Sequence, residues 1–185
     1  MTYEAAHIDQ AHLSQDGGDA IGEPIRERTF TWADPLALAS ACAGLSGMEM
    51  FQAMAEGRLP LPPVMSTLGI SDLSFDEGRV RLTLDPQECH YNPLGSVQGG
   101  VYGVLLDAAF GFAVHTRLPA GVAYTSLDLS VKFLRPVTID RGPVFAEATV
   151  VHLGRRTALA EGRIADSHDR IYATANSSCL IMRPE

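Results

Sequence analysis

Residues 97–118 read VQGGVYGVLLDAAFGFAVHTRL, and the architecture turns on this run. Its length and its Ala, Leu and Val content predict one long helix over Val97–Leu118, ended by Pro119-Ala120-Gly121. Gln98 and Asp107 interrupt it too much for a membrane span. A helix this apolar is buried, so other elements must surround it. Upstream, Ile70, Leu73 and Phe75 lead into Asp76-Glu77-Gly78, after which Val80, Leu82 and Leu84 alternate with Arg81, Thr83 and Asp85. That pattern is a strand, a tight turn and a strand. Downstream, strands are predicted over roughly 122–134, 143–153, 156–166 and 170–182, separated by turn-rich text. The order β-β-α-β-β-β-β predicts the α+β class, an antiparallel sheet wrapped around one central helix.

Further out, Asp34 can cap a helix with Pro35 at its first position, and Met48 to Glu56 reads as a second short helix. Leu59-Pro-Leu-Pro-Pro63 stops any helix. Residues 31–60 are therefore a helical lead-in to the main domain at 61–185. Residues 1–30, with Gly17-Gly18 and no apolar periodicity, read as a mobile acidic tail. The 185 residues carry a formal charge of −8, unevenly spread. Nine acids and three bases give −6 over residues 1–60; thirteen and eleven give −2 over 61–185. This balance disfavours nucleic acid and anionic membranes as partners. Cys42, Cys89 and Cys179 form no close pair, and the first ten residues, MTYEAAHIDQ, have no signal-peptide pattern. A reduced, cytoplasmic, soluble protein is expected.

Two local features carry chemistry. Asp107 is the one carboxylate in the apolar helix, and a carboxylate there must be paired, hydrogen-bonded or wet. It is either satisfied at a face touching solvent or a subunit neighbour, or it is functional. At the helix start, Gln98-Gly99-Gly100 follows Asn92-Pro93-Leu94-Gly95. Two glycines admit a ligand close to the backbone, and the free N–H groups of a first helical turn can hold an oxyanion; a tight entry turn needs the same glycines. Other residues are weaker candidates. Cys89 and His90 would point apart in a strand. His115, His152 and His168 show no metal spacing and read as surface or capping residues. Met48, Met50 and Met54 pack the lead-in; Tyr102, Phe110 and Phe112 shape the core or a pocket.

His90-Tyr-Asn-Pro-Leu-Gly-Ser-Val-Gln-Gly-Gly100, followed by Leu105-Leu106-Asp107, resembles the N-P-x-G-x-x-H-G-G…D signature of hotdog-fold acyl-CoA thioesterases. The phenylacetate-degradation (PaaI-like) branch is the nearest in kind. Tyr124 to Pro136 is similar to the strand after the helix in that family, and the resemblance covers roughly Leu61 to Met182. It implies a hotdog thioesterase domain at 61–185 acting on a medium-chain or aromatic acyl-CoA, with no metal and no cofactor beyond the coenzyme A of the substrate. It further implies that Asp107 activates water or attacks the thioester itself. The Gly99 N–H would polarise the carbonyl, Asn92 would position substrate or water, and Ser126 would hold the nucleophilic water.

One position departs from the signature: its His is Gln98 here. Glutamine can donate a hydrogen bond but exchanges no proton at neutral pH, which leaves the acid/base load on Asp107. Eight residues separate Gly99 from Asp107, about 12 Å along a helix axis. One helix can hardly serve one carbonyl with both, since reacting groups lie within about 3 Å of their targets. Two antiparallel helices across a homodimer can, and the family forms dimers, often paired into tetramers. Gly100, Lys132, Arg135, Arg155 and Arg156 are the candidates for substrate and coenzyme A contacts, the arginines for its phosphates. Two other readings remain at this level: a hotdog enoyl-CoA hydratase or dehydratase, with His90 as a substitute base, and a non-catalytic acyl-CoA-binding protein.

Overall fold

Residues Gly99–His115 of the apolar run form helix α4 in the structure, a computed structural model that describes residues 22–184. The helix begins later than the apolar text because Val97 and Gln98 give their N–H groups to Val137 and His90 carbonyls outside it. Leu105, Leu106, Ala109, Phe110, Ala113 and Val114 along α4 are fully buried.

The enclosing sheet has seven strands: β1 (Ile70–Asp76), β2 (Arg79–Leu84), β3 (Ala123–Ser126), β4 (Ser130–Phe133), β5 (Val144–Leu153), β6 (Thr157–Asp166) and β7 (Ile171–Met182). Their order is β1-β2-β5-β6-β7-β3, with β4 also on β7, and every pairing is antiparallel. The expected β1–β2 hairpin turns at Gly78, whose φ of 75° needs glycine. Val80, Leu82 and Leu84 pair with Ala148, Ala146 and Val144, so both strands present apolar residues to α4. Small residues set how close the helix lies. A side chain at Gly162 on β6 would strike the Glu147 carbonyl and come within 2.9 Å of Phe110.

The single strand expected over 122–134 is instead two. Ser126 pairs with Cys179 and Ser130 with Asn176, which leaves one residue more on the β3–β4 side than on β7. The cause is Asp128, whose carboxylate accepts from the Ser178 N–H and hydroxyl while its carbonyl takes the Ser177 hydroxyl. The result is a one-residue bulge.

The lead-in contains α1 (Pro35–Cys42) and α2 (Gly47–Ala55), and α3 (Pro63–Leu68) follows it at the start of the main domain. Asp34 caps α1 as expected, accepting from Leu36 and Ala37. Ser46 and Glu49 close a reciprocal capping box on α2. Gly47 donates its N–H to the Leu118 carbonyl just past α4, and a Cβ there would run into the His115 carbonyl. Phe51 on α2 is fully buried, its ring 5.0 Å from Phe112 and 5.7 Å from Phe75. Burying one such ring contributes about 2 kcal/mol and seats the lead-in on the sheet domain. The proline run does end α2's neighbourhood, but it also begins α3, an element not expected from the text. Pro63 stands at a first helical position, where its missing N–H costs nothing, and Gly69 closes the helix with φ of 72°.

By contact, the chain divides into two compact units, Met1–Phe30 and Thr31–Glu185. Within the first, residues 22–30 form neither a helix nor a multi-residue strand. The expected mobile tail lies mainly outside the described residues.

Candidate active site

At the start of α4, Asn92 organises its own turn. Its Oδ1 accepts from Leu94 (2.8 Å) and Ser96 (3.4 Å), its Nδ2 donates to the Ser96 hydroxyl, and Gly95 sits at φ of 78°. Gln98 is exposed at the N-cap and its side chain makes no capping bond. The N–H groups of Gly99 and Gly100 find no acceptor among the described residues, as expected for a first helical turn. The turn is clamped from the far side by tyrosines. Tyr102 accepts the Val137 N–H at 2.8 Å and donates to the Arg135 carbonyl, while Tyr91 accepts the Ile139 N–H at 2.7 Å. Phe133 leans on Gly99, where a Cβ would lie 3.3 Å from its ring.

His90 braces this region. It is buried, its Nδ1 accepts the Gln87 N–H at 3.1 Å, and its carbonyl takes the Gln98 N–H at 2.7 Å. Cys89 and His90 occupy a single 3-10 turn rather than a strand, and they still face apart, Cys89 outward and His90 inward.

Further along α4, Asp107 meets β3. Ser126 Oγ donates to Asp107 Oδ1 at 2.8 Å, the one side-chain hydrogen bond of that carboxylate among the described residues. Asp107, Gly111 and His115 recur every four residues, so they share a face. Tyr124 and Ser126, two apart on β3, face them. The fit is tight at Gly111, where a Cβ would stand 2.5 Å from the Tyr124 phenol oxygen. Burial, with smaller contributions from Cys179 and Asp107, pushes the Tyr124 hydroxyl above its ordinary range. Cys179, paired with Ser126 across β3–β7, is fully buried, and burial followed by the Asp107 charge raises its thiol. A protonated, enclosed thiol is no nucleophile.

Asp107 and Ser126 open onto a cavity of about 770 Å³. Its other walls are Phe112 and His115 on α4, Tyr124 on β3, Cys42 and Leu45 of the lead-in, and Pro62 and Val64 just after it. His115 is thus not the surface or capping residue expected. It is half-buried between the Phe51 ring (5.9 Å) and the Tyr124 ring (5.4 Å), and burial lowers its pKa. Phe112 belongs to the cavity, whereas Tyr102 and Phe110 are core.

The sequence candidates therefore fall into two groups. Asp107 and Ser126 touch. Asn92, Gln98, Gly99 and Gly100 stand at the other end of α4; Arg135 is exposed just after β4, its carbonyl bonded to Tyr102, while Lys132 is exposed on the opposite face of β4, beside Glu161 and Thr174. Arg155 and Arg156 are exposed in the β5–β6 turn. The Arg156 carbonyl accepts from Ile181, the β7 partner of Tyr124, so Arg156 lies two strands, about 10 Å, from that tyrosine. Among the described residues no group of three or more His, Cys, Asp or Glu could hold a metal ion, and no helix is long and apolar enough to cross a membrane.

The fold and site define a hotdog domain with a carboxylate set in the wall of a largely apolar cavity. The thioesterase superfamily model matches residues 94–173. A protein of Halobacterium salinarum, provisionally named an esterase, is 38% identical over 133 residues, covering 66% of this chain and 86% of its own. The 1,4-dihydroxy-2-naphthoyl-CoA hydrolase of Listeria monocytogenes is 22% identical, over 65% of this chain and 96% of its own. Among solved structures, the Escherichia coli PaaI protein of the phenylacetic acid degradation operon superposes with a TM-score of 0.63 at 26% identity, over 75% of this chain and 96% of its own. A phenylacetic acid degradation-related protein of Ralstonia eutropha gives 0.64 at 28%, over 70% and 98%. The chain belongs to the thioesterase superfamily and is a thioester hydrolase.

Proposed function

We propose that the protein hydrolyses an acyl-CoA thioester, with a medium-chain or aromatic acyl group, to the free acid and coenzyme A. The observation that carries this is the Asp107–Ser126 pair in the wall of the apolar cavity. Ser126 fixes one carboxylate oxygen and leaves the other to take a proton from water. The hydroxide so formed adds to the thioester carbonyl, and collapse of the adduct expels the coenzyme A thiolate, which is then protonated. The Gly99 N–H is the donor for the developing oxyanion.

Because Gly99 stands about 12 Å from Asp107 along the axis, the two groups act on one carbonyl only if each comes from a different subunit. The free edge of the sheet supports such a homodimer. Among the described residues β3 and β4 pair with β7 alone, and Leu127, Phe133 and Leu134 along them are 57%, 58% and 52% exposed. A pair of dimers is compatible with the same edge. Lys132, Arg135, Arg155 and Arg156 are exposed cations available to the phosphates of coenzyme A, and Gly100 and Gln98 flank the oxyanion position. The reaction needs no metal and no further cofactor. The free cysteines suit a cytoplasmic setting. The hydratase reading loses support because His90 does not line the cavity that holds Asp107, and its Nδ1 and carbonyl brace the turn at Gln87 and Gln98.

Thiol release from a panel of acyl-CoAs, by wild type and by Asp107→Ala, tests the reaction. Release that disappears in the variant supports it; stabilisation by acyl-CoA without release supports a binding protein instead. The shared site is tested by mixing Asp107→Asn with Gly99→Pro. Proline suits the first helical position, after an extended Gln98 (ψ of 135°); it deletes the N–H, and its added Cβ, 3.3 Å from the Phe133 ring, requires that ring to give slightly. Activity regained on subunit exchange is expected; none regained would falsify the shared site.

A further inference from the structure

Phe133 is anchored on one face and open on the other. Its ring covers Gly99 and packs edge-on against Tyr102, with centroids 5.6 Å apart, yet the side chain stays exposed at the free edge of β4. The contacts between α4 and β3–β4 form a ladder that runs along the two elements in opposite directions. Phe133 lies over Gly99, Leu129 approaches a Cβ placed on Gly103 to 3.9 Å, and Ser126 bonds Asp107. Gly99, Gly103 and Asp107 are spaced by four, so they share one face of the helix. Gly103 is midway between the other two, and Leu129 stands next to the middle of the run from Ser126 to Phe133.

A two-fold axis passing by Gly103 and Leu129 exchanges the ends of this ladder. It carries the Gly99–Phe133 rung onto the Asp107–Ser126 rung of the partner subunit. The shared site demands this same operation, since it brings the Gly99 N–H to the partner subunit's Asp107. The helix is suited to it: Gly103 has no side chain to hold a second helix away, and its neighbour Val104 is apolar and exposed. Resting on the acyl-CoA reading and its shared site, we infer that Phe133 acts in trans, its open face walling the site that the partner subunit's Asp107 serves. There the ring lies against the thioester beside the Gly99 N–H. It offers no hydrogen bond, so it keeps water from that N–H and leaves it for the carbonyl oxygen.

Two mixed dimers carrying the same two substitutions test this. In the first, one chain is Asp107→Asn and the other Phe133→Ala. In the second, one chain bears both substitutions and the other is wild type. Each is purified through two different tags and assayed by thiol release from phenylacetyl-CoA and hexanoyl-CoA. Phe133→Ala alone should lower kcat about tenfold, and Phe133→Leu, which keeps an apolar wall, should lose less than about threefold. With Phe133 in trans, the first dimer keeps one intact site and about half the wild-type rate, while the second keeps only a site without the ring, about one twentieth. Any loss of fold or assembly falls on both dimers alike. The reverse ranking, equal rates, or Phe133→Ala as fast as wild type would overturn the inference. The same two dimers built with Gly99→Pro in place of Phe133→Ala report on the shared site by itself. If they follow the trans ranking and the Phe133 pair does not, the role of Phe133 fails and the shared site stands. If wild type releases no thiol, hydrolysis fails and cross-linking reads the placement. In a Cys42→Ser, Cys89→Ser background, Phe133→Cys chains should join Ser126→Cys chains through a short thiol-reactive linker, and neither should join itself; no joining overturns the inference.

Discussion

The two ends of α4 solve opposite problems. At its N-terminus the backbone does the work: Gly99 and Gly100 expose N–H groups, Asn92 and Gly95 shape the turn, and exposed Arg135 stands nearby. Along its second half the side chains do it, as Asp107, Gly111 and His115 line up against Ser126 and Tyr124. At the first end Gly100 has open space around it and Gly99 is covered by Phe133; at the second, Gly111 is packed to within a methyl group of Tyr124 beside the cavity. A helix that is apolar all round can host both because neither depends on an amphipathic face.

The comparison breaks most visibly at Asp107. Asp107→Asn should lower the rate of thiol release by about a thousandfold or more with little change in Tm, and a loss below tenfold would remove the second half of α4 from the chemistry. Next come the glycines. Gly111→Ala drives a methyl onto the Tyr124 oxygen and should cost about 2 kcal/mol in urea unfolding. A smaller effect is expected from pH. Burial depresses the folded His115 pKa below the ordinary value of about 6.5. The unfolded chain therefore takes up the proton first. Stability from this residue is complete above about pH 6.5 and is lost as pH falls through the lowered folded value. Calorimetric scans between about pH 7.5 and 5 should show Tm falling more steeply in wild type than in His115→Phe. Smallest is Gly100→Ala, where no atom lies within 4 Å of the new methyl. It should raise stability by about 0.5 kcal/mol, the opposite sign to Gly111→Ala.

Much of this arrangement is legible in the chain, and unequally so. Strict alternation at Val80, Leu82 and Leu84 announced β2, and the Asp34-Pro35 start of α1 follows from capping chemistry alone. Asp107 stood out because a carboxylate in apolar text needs a reason. His115 did not, since a helix buried on every side gives no periodicity to say which residues face a cavity. The Gly111–Tyr124 fit joins residues on separate elements and leaves no local trace. Helix α3 was hidden because proline reads as a stop, although at a first helical position it is a start. The β3–β4 break depends on Asp128 reaching Ser178, fifty residues away.

That break has a consequence for parity. Ser126 and Phe133 are seven residues apart, and in an uninterrupted strand an odd separation places side chains on opposite faces. Here both face α4, one beside Asp107 and the other over Gly99, because the extra residue at the bulge resets the count. Without it, Lys132 rather than Phe133 would turn toward the helix start. The two ends of α4 are thus kept in step by one surplus residue. A chain shortened by one between Ser126 and Ser130 could keep both contacts on a regular ladder, whereas one lengthened by one would need a second irregularity to do so.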